Sequence, residues 1–251
     1  MVTSAILAIV GAVIGSGFAG GTPIQNAAGG ALSASATPIA PAGPAFSIWS
    51  VVYLGLIAYA VWQALPAQRA SARQRRLGYW VAASLVLNAA WILSIQFNQL
   101  ALSLPIIVIL LVALIRAFFL CLSEQPKGWV ETVVVDGTIG LYLGWVCVAT
   151  AANTAALLTA AGFRGGGIDA TVWAVAIVVV AGIIGLLLAI RDRGRIAPTL
   201  ALCWGVAWIA VGRLTGSPHS MPTAITAIVV VAVVILATVV LRLRAARSAA
   251  A

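Results

Sequence analysis

Asp136 and Arg116 are the residues best placed for chemistry, because each lies inside an apolar run of the sequence. A charge at membrane depth is costly, and it is usually paired or part of a functional site. Both lie about 10 Å in from the ends of neighbouring runs joined by residues 123–128, at 1.5 Å per helical residue. We predict an ion pair that fixes helix register, with a proton or substrate site, or snorkelling of Arg116, as alternatives. Glu131 is expected nearer the headgroups.

Aromatic and amide side chains recur at helical spacing in three of the apolar runs. Residues three, four or seven apart share one face of a helix, and an Asn inside a span prefers an interior partner or a cavity. One hypothesis is an aromatic core with the Asn residues as polar contacts between helices. The other is a cavity for a flat apolar ligand. These faces carry Phe46, Trp49 and Tyr53, then Asn88 and Trp91, then Trp145, Ala149 and Asn153.

The sequence has no arrangement typical of a soluble enzyme. We find no acid–base pair, nucleophile triad or metal-ligand spacing, so we predict no catalytic residue, metal site or cofactor. Cys121, Cys147 and Cys203 form no CxxC pair, which favours small apolar fillers over a redox or metal role. His219, in a polar segment between two prolines, is predicted to be solvated.

The composition of the chain indicates the solvent that surrounds the elements carrying these side chains. Of 251 residues, 63% are hydrophobic and 8% are charged, with a mean hydropathy of +1.13, whereas soluble domains carry roughly 25% charged residues. Lipid is therefore the expected solvent. The net charge of +9 does not indicate nucleic-acid binding, because the basic residues form short clusters between apolar runs, as in membrane proteins.

A membrane-spanning helix needs about 20 apolar residues, and eight runs meet that length or approach it. The first is short and glycine-rich, so a signal peptide is an alternative. No Lys or Arg precedes Arg69, which favours a retained span. The predicted spans are roughly 3–20, 45–65, 78–97, 102–122, 129–152, 171–190, 197–214 and 221–241.

The distribution of basic residues predicts the orientation. With eight spans, eleven of the fourteen Lys and Arg residues fall on one side, and positive charge collects on the cytoplasmic side. We therefore predict a bacterial-type inner-membrane protein with both termini cytoplasmic. The uncharged segment 21–44 falls outside, either as a plain flexible loop or as a lid over a pocket.

Three segments resemble the TspO/MBR family, the tryptophan-rich sensory proteins related to the mitochondrial translocator protein. They are residues 44–62, which contain Phe46-Ser-Ile-Trp49 and Tyr53, residues 87–97 with Asn88 and Trp91, and residues 141–153 with Trp145, Ala149 and Asn153. The resemblance implies a five-helix transmembrane unit over residues 1–160, with a pocket between helices that opens to the first loop. Family members bind tetrapyrroles, sterols and synthetic aromatic compounds. By motif match, the eight aromatic, amide and alanine positions given above would line or support that pocket.

Two features depart from the family pattern. The family's first loop carries Trp-Tyr and Lys-Pro, whereas residues 21–44 contain no Trp, Tyr or Lys. The chain also continues through three additional spans over residues 161–251, with a basic C-terminal tail. These spans could cover the bundle, form a homodimer face or add a second pocket.

The sequence thus predicts an all-α polytopic membrane protein that binds a hydrophobic, aromatic or polycyclic ligand such as a porphyrin or sterol. It would act as a sensor, carrier or scaffold. One rival is a membrane enzyme on terpenoid or tetrapyrrole substrates that uses Asp136 and Glu131 as acids. The other is a proton-coupled exporter, which would need inverted repeats.

Overall fold

The structure, a computed structural model, describes residues 22–68 and 70–250, apart from the side chains of the last two. Within these ranges it has seven helices long and apolar enough to cross a membrane, and no strand. The predicted all-α polytopic fold is confirmed, and each helix covers one predicted span. The remaining predicted span, 3–20, lies outside the described residues. The helices are α1 (Ile48–Ala64), α2 (Ala72–Gln96), α3 (Leu100–Ser123), α4 (Trp129–Ala160), α5 (Ala170–Arg191), α6 (Ile196–Thr215) and α7 (Met221–Ala250).

The chain folds into two compact units that interleave along the sequence. Within the described residues, the first contains 22–31 together with Ser47–Leu143, and the second contains Leu32–Phe46 together with 144–250. Helix α4 therefore contributes to both units. The predicted division at residue 160 follows the family resemblance rather than packing, and it stays a prediction.

In the first unit, α2 packs along α3, and α2 begins earlier than its apolar run. Ser71 caps the helix, because its Oγ accepts a hydrogen bond from the Gln74 amide at 3.4 Å. A side-chain oxygen at this position satisfies one of the amides that a helix start leaves unpaired. The six residues before the predicted start at 78 are therefore helical, which brings Arg73 into the first turn of α2.

Helix α4 contains one π-helical turn, Thr132–Gly137, directly after its first turn. Beyond that turn α4 approaches α1 closely. A Cβ atom on Gly55 would lie 2.4 Å from the Thr138 Oγ1 atom, so only glycine at position 55 permits this contact. The turn and the contact together fix the register of α4 against α1.

In the second unit, α7 packs against both α5 and α6. Small residues allow the close approach of α5 to α7: a Cβ atom on Gly182 or Gly185 would meet Val230 or Val234 at about 3 Å. Close backbone approach at small residues drives helix association in lipid, where the hydrophobic effect contributes little between helices. Large apolar side chains such as Leu236 remain exposed on the other side of α7, as expected for a face towards lipid.

Gly144 marks the tightest of these approaches, between α4 and α6. A Cβ atom there would lie 2.2 Å from the Pro198 carbonyl oxygen and 3.0 Å from the Leu202 amide nitrogen. Both are backbone atoms, so neither can move without a shift of the helix. The packing of α4 against α6 in the second unit therefore requires glycine at position 144.

We predict that Gly144→Ala lowers the free energy of unfolding by about 1–3 kcal/mol, the usual cost of overpacking. The measurement is thermal unfolding of the purified protein in detergent, followed by tryptophan fluorescence. Gly137→Ala is the control, because its Cβ atom would meet only the Thr132 carbonyl oxygen at 3.5 Å, an ordinary contact. Equal unfolding temperatures for the two variants would contradict this account.

The turn between α5 and α6 holds a buried carboxyl group. Asp192 ends α5, and its Oδ1 atom accepts hydrogen bonds from the amides of Gly194 at 3.0 Å and Arg195 at 2.9 Å. Its Oδ2 atom has no hydrogen-bond partner among the residues that the structure describes. Burial raises the pKa of Asp192 from an ordinary value of 3.8 to about 6, against the lowering effect of the two amides and of the Arg195 charge.

This raised pKa predicts a pH-dependent contribution to stability. The folded protein binds the Asp192 proton more tightly than the unfolded chain, so the contribution is complete below about pH 4 and is lost as the pH rises through about 6. Asp192→Asn should therefore gain stability relative to the natural protein as the pH rises from 4 to 7. Unfolding temperatures measured across that range test this, and parallel pH profiles for the two proteins would refute it.

Candidate functional site

A buried cluster of charges joins α2 to the start of α4 in the first unit. The Arg73 guanidinium donates to Glu131 Oε1 at 2.6 Å through Nη1 and to Asp136 Oδ1 through Nη2. The three residues are 6–7% exposed. A buried ion pair stabilises a fold only when hydrogen bonds satisfy its remaining polar atoms. The hydrogen bonds around the cluster therefore decide whether it stabilises the fold.

Neutral groups complete the hydrogen bonding around Glu131. Gln74 Nε2 donates to Glu131 Oε1 at 2.7 Å, and the Lys127 amide donates to Oε2 at 2.8 Å. The Tyr59 hydroxyl in turn donates to Gln74 Oε1 at 3.1 Å. Residues of α2, α4 and the loop before α4 thus meet at the Glu131 carboxylate, and Tyr59 connects α1 to it through Gln74.

The π-helical turn explains how both carboxylates reach one guanidinium. Glu131 and Asp136 are five residues apart, which in a regular α-helix would turn them about 140° away from each other. An i→i+5 turn brings residues five apart towards one face, and such turns are frequent at functional sites. Thr132–Gly137 is that turn, so the π-helical geometry of α4 allows both carboxylates to bind the Arg73 guanidinium.

The observed pairing differs from the predicted one. Asp136 pairs with Arg73, whereas the Arg116 guanidinium lies 5.8 Å from the centre of the Trp80 ring, a cation–π contact. The sequence placed Arg73 in a loop, because its helical turn precedes the apolar run, and so missed the nearest cation. Glu131 is buried within the protein, and its expected depth near the headgroups stays a prediction. Both carboxylates accept hydrogen bonds from the Arg73 guanidinium, and this geometry gives no support to a role as general acids.

An aromatic group lies nearby in the same unit, around Trp49 of α1. Its ring stacks on Tyr53 with centroids 5.4 Å apart and planes at 19°. It also meets Trp91 of α2 at 6.2 Å and the edge of Tyr142 of α4 at 5.8 Å. We call these four residues the Trp49 group. Offset-stacked and edge-to-face pairs are the favoured aromatic geometries, and Trp49 remains partly exposed at their centre.

Asn88 adds a polar atom beside this group. Its Nδ2 atom donates to the Tyr53 hydroxyl at 2.8 Å, while its Oδ1 atom is buried with no hydrogen-bond partner among the described residues. A buried acceptor without a partner costs about 1–3 kcal/mol. Such an exception to the usual pairing of buried polar atoms calls for an explanation, and a ligand that donates a hydrogen bond provides one.

The other predicted residues belong to the second unit. The Phe46 ring meets the buried Trp145 ring edge-on, with centroids 5.9 Å apart. Asn153 is fully buried, and Ala149 is partly buried on the same helix. The structure thus brings Trp49, Tyr53, Asn88 and Trp91 together in one unit, and Phe46 and Trp145 in the other.

Helix α6 holds the loop that precedes α1, within the second unit. The Ala42 amide donates to the Trp208 carbonyl at 3.1 Å, and Trp204 Nε1 donates to the Ala45 carbonyl at 2.9 Å. Further along α6, the Arg213 guanidinium also bonds two loop carbonyls. One of the additional predicted spans therefore fixes part of the segment 21–44, which the sequence left open as a flexible loop or a lid.

Sequence reasoning missed two contributors to these clusters. Tyr142 lies in the segment 141–153 that resembles the family but has no predicted role, although it is fully buried and touches Trp49. Arg73 was counted only as a loop charge. The signal for Tyr142 was its spacing of three from Trp145, and that for Arg73 was the Ser71 cap, which predicts a helix start at 72.

In comparison with known protein families, the model of the TSPO-like protein family matches residues 2–241. The chain belongs to the TSPO-like family. The comparisons with curated proteins and with solved structures found no match. The match extends through α5, α6 and most of α7, so these helices are part of what this TSPO-like family shares. Family membership agrees with the resemblance drawn from the motifs, and it establishes a membrane protein of the TspO type.

For this TSPO-like protein we predict that Arg73→Gln lowers the free energy of unfolding by about 3–5 kcal/mol, because two buried carboxylates lose their cation. Arg73→Lys should lose less, since it keeps the charge but not the two-pronged geometry. Arg76→Gln is the matched control: Arg76 pairs with Glu124 at 3.2 Å with its side chain 68% exposed, and exposed pairs contribute at most about 1 kcal/mol. Unfolding in detergent measures all three. Similar losses for Arg73→Gln and Arg76→Gln would contradict a structural role for the buried cluster.

Proposed function

We propose that this protein binds a flat, hydrophobic, aromatic or polycyclic small molecule at the Trp49 group, and that the ligand donates a hydrogen bond to Asn88. A tetrapyrrole with its pyrrole N–H groups and a sterol with its hydroxyl both meet this description. The observation that carries the proposal is the buried, unpartnered Oδ1 atom of Asn88 beside a cluster of aromatic rings. Sites for small molecules commonly combine apolar walls with a few polar groups that orient the ligand.

The position of Trp49 supports the same reading. Its ring contacts three others and is only partly buried, so it can contribute aromatic surface to a ligand site. Stacked or edge-on aromatic pairs contribute about 0.5–1.5 kcal/mol beyond the area they bury. Tyr53 holds the Asn88 amide by its Nδ2 atom, which leaves Oδ1 as the oriented acceptor.

With such a ligand the protein would act as a sensor, carrier or scaffold in the membrane. A ligand-binding role for Phe46, Trp145, Ala149 and Asn153 stays a separate prediction from the sequence. The bacterial-type inner membrane, the cytoplasmic position of both termini and a homodimer belong to the same proposal. The distribution of basic residues supports the orientation.

The test is a titration of the purified full-length protein in lipid nanodiscs with protoporphyrin IX, followed by quenching of tryptophan fluorescence. Asn88→Leu should weaken binding about three- to tenfold, the loss expected for one hydrogen bond of about 0.5–1.5 kcal/mol. Trp49→Phe should also weaken binding, because a smaller ring stacks over less area. A second titration with a sterol, detected by competition, distinguishes the two ligand classes.

Two controls separate ligand contacts from general damage. Tyr53→Phe keeps the ring and removes only the partner of Asn88 Nδ2, so it should cost less affinity than Asn88→Leu. Trp129→Phe alters an indole that is 78% exposed and should leave affinity unchanged. Absence of saturable quenching by protoporphyrin IX, or equal losses in all four variants, would remove the proposed site.

A further inference from the structure

Arg213 of α6 is a buried cation in the second unit. It is 1% exposed, inside a helix long and apolar enough to cross a membrane. Its Nη1 atom donates to the Thr37 carbonyl at 3.2 Å, and its Nη2 atom donates to the Ala34 carbonyl at 2.5 Å. An arginine does not lose its proton in a protein, so burial cannot be relieved by neutralising the group.

The chain has no carboxylate side chain left to neutralise Arg213. It contains only five Asp and Glu residues, and all five lie in the described ranges. Glu131 and Asp136 pair with Arg73, and Glu124 pairs with Arg76. Asp169 is exposed at the start of α5, where it accepts a hydrogen bond from the Thr171 amide. Asp192 accepts hydrogen bonds from amides in the turn before α6.

Two buried polar atoms at this place also lack partners. The Arg213 Nε atom and the Thr37 Oγ1 atom make no hydrogen bond to any described residue, and the two residues are already joined through the Thr37 carbonyl. A guanidinium offers Nε–H and one adjacent Nη–H as a planar fork that fits a carboxylate. A Thr hydroxyl beside it can donate a further hydrogen bond.

From these three observations we infer that Arg213 and Thr37 form a binding site for a carboxylate group supplied from outside the chain. The carboxylate accepts from the Nε edge of Arg213 and from the Thr37 hydroxyl, and it supplies the negative charge that the protein lacks here. Two sources share this chemistry: a free small carboxylate, or the head of a fatty acid or other amphiphile in the membrane. The site is independent of the ligand proposed for the Trp49 group.

The test is the unfolding temperature of the full-length protein in nanodiscs at constant ionic strength, with sodium acetate replacing sodium chloride. A carboxylate that binds only the folded protein raises that temperature in a saturable way. Arg213→Gln should abolish the acetate response, and Thr37→Val should weaken the apparent affinity about three- to tenfold, as for one lost hydrogen bond. Arg164→Gln, which removes an exposed arginine from another loop, should keep the full response.

Laurate below its micellar concentration distinguishes the two sources. A response at concentrations at least tenfold lower than for acetate, lost in Arg213→Gln, assigns the site to an amphiphile, and an equal response assigns it to small carboxylates. Thr37→Val keeps the test usable if Arg213→Gln fails to fold. An unfolding temperature that does not differ between acetate and chloride, or an acetate response that survives both substitutions, would overturn the proposal.

Discussion

The scarcity of carboxylates in a lipid solvent is the constraint on which the polar interior of this protein depends. The chain has five acidic and fourteen basic side chains. A buried charge without a partner is far more costly than an exposed one. Two of the five are committed to Arg73. The remaining buried polar atoms must therefore be satisfied by backbone carbonyls, by hydroxyls or by molecules from outside the chain.

The register of α4 links the charge cluster to the aromatic group within the first unit. Asp136 lies at the end of the π-helical turn, Thr138 contacts Gly55 of α1, and Tyr142 meets Trp49 one helical turn further on. A regular α-helical path through residues 132–137 would rotate Thr138 and Tyr142 together relative to Glu131. The ion pairs thus act as positioning contacts for the Trp49 group.

Helix bounds could be predicted from the sequence because lipid requires long apolar runs and leaves charged or helix-breaking residues at their ends. The face that carries Trp49 and Tyr53 followed from spacing alone. The partner of Asp136 did not, since it depends on a helical turn that the Ser71 cap adds before the apolar run and on a π-helical turn. Neither feature changes hydropathy. The anchoring of residues 34–45 to α6 was equally hidden, because its hydrogen bonds use backbone carbonyls, which every residue possesses.

That anchoring gives α6 a physical role. Indole and guanidinium groups of Trp204 and Arg213 donate to carbonyls of residues 34–45, and the Trp208 carbonyl accepts an amide of the same segment. A Cβ atom on Gly212 would lie 3.4 Å from the Ala42 amide nitrogen, so the loop runs directly on the helix backbone. A segment rich in Gly, Ala, Ser and Pro has few side chains with which to fix itself, and ordering it costs conformational entropy. Hydrogen bonds to α6, which lies within the range that the family model matches, offset this cost.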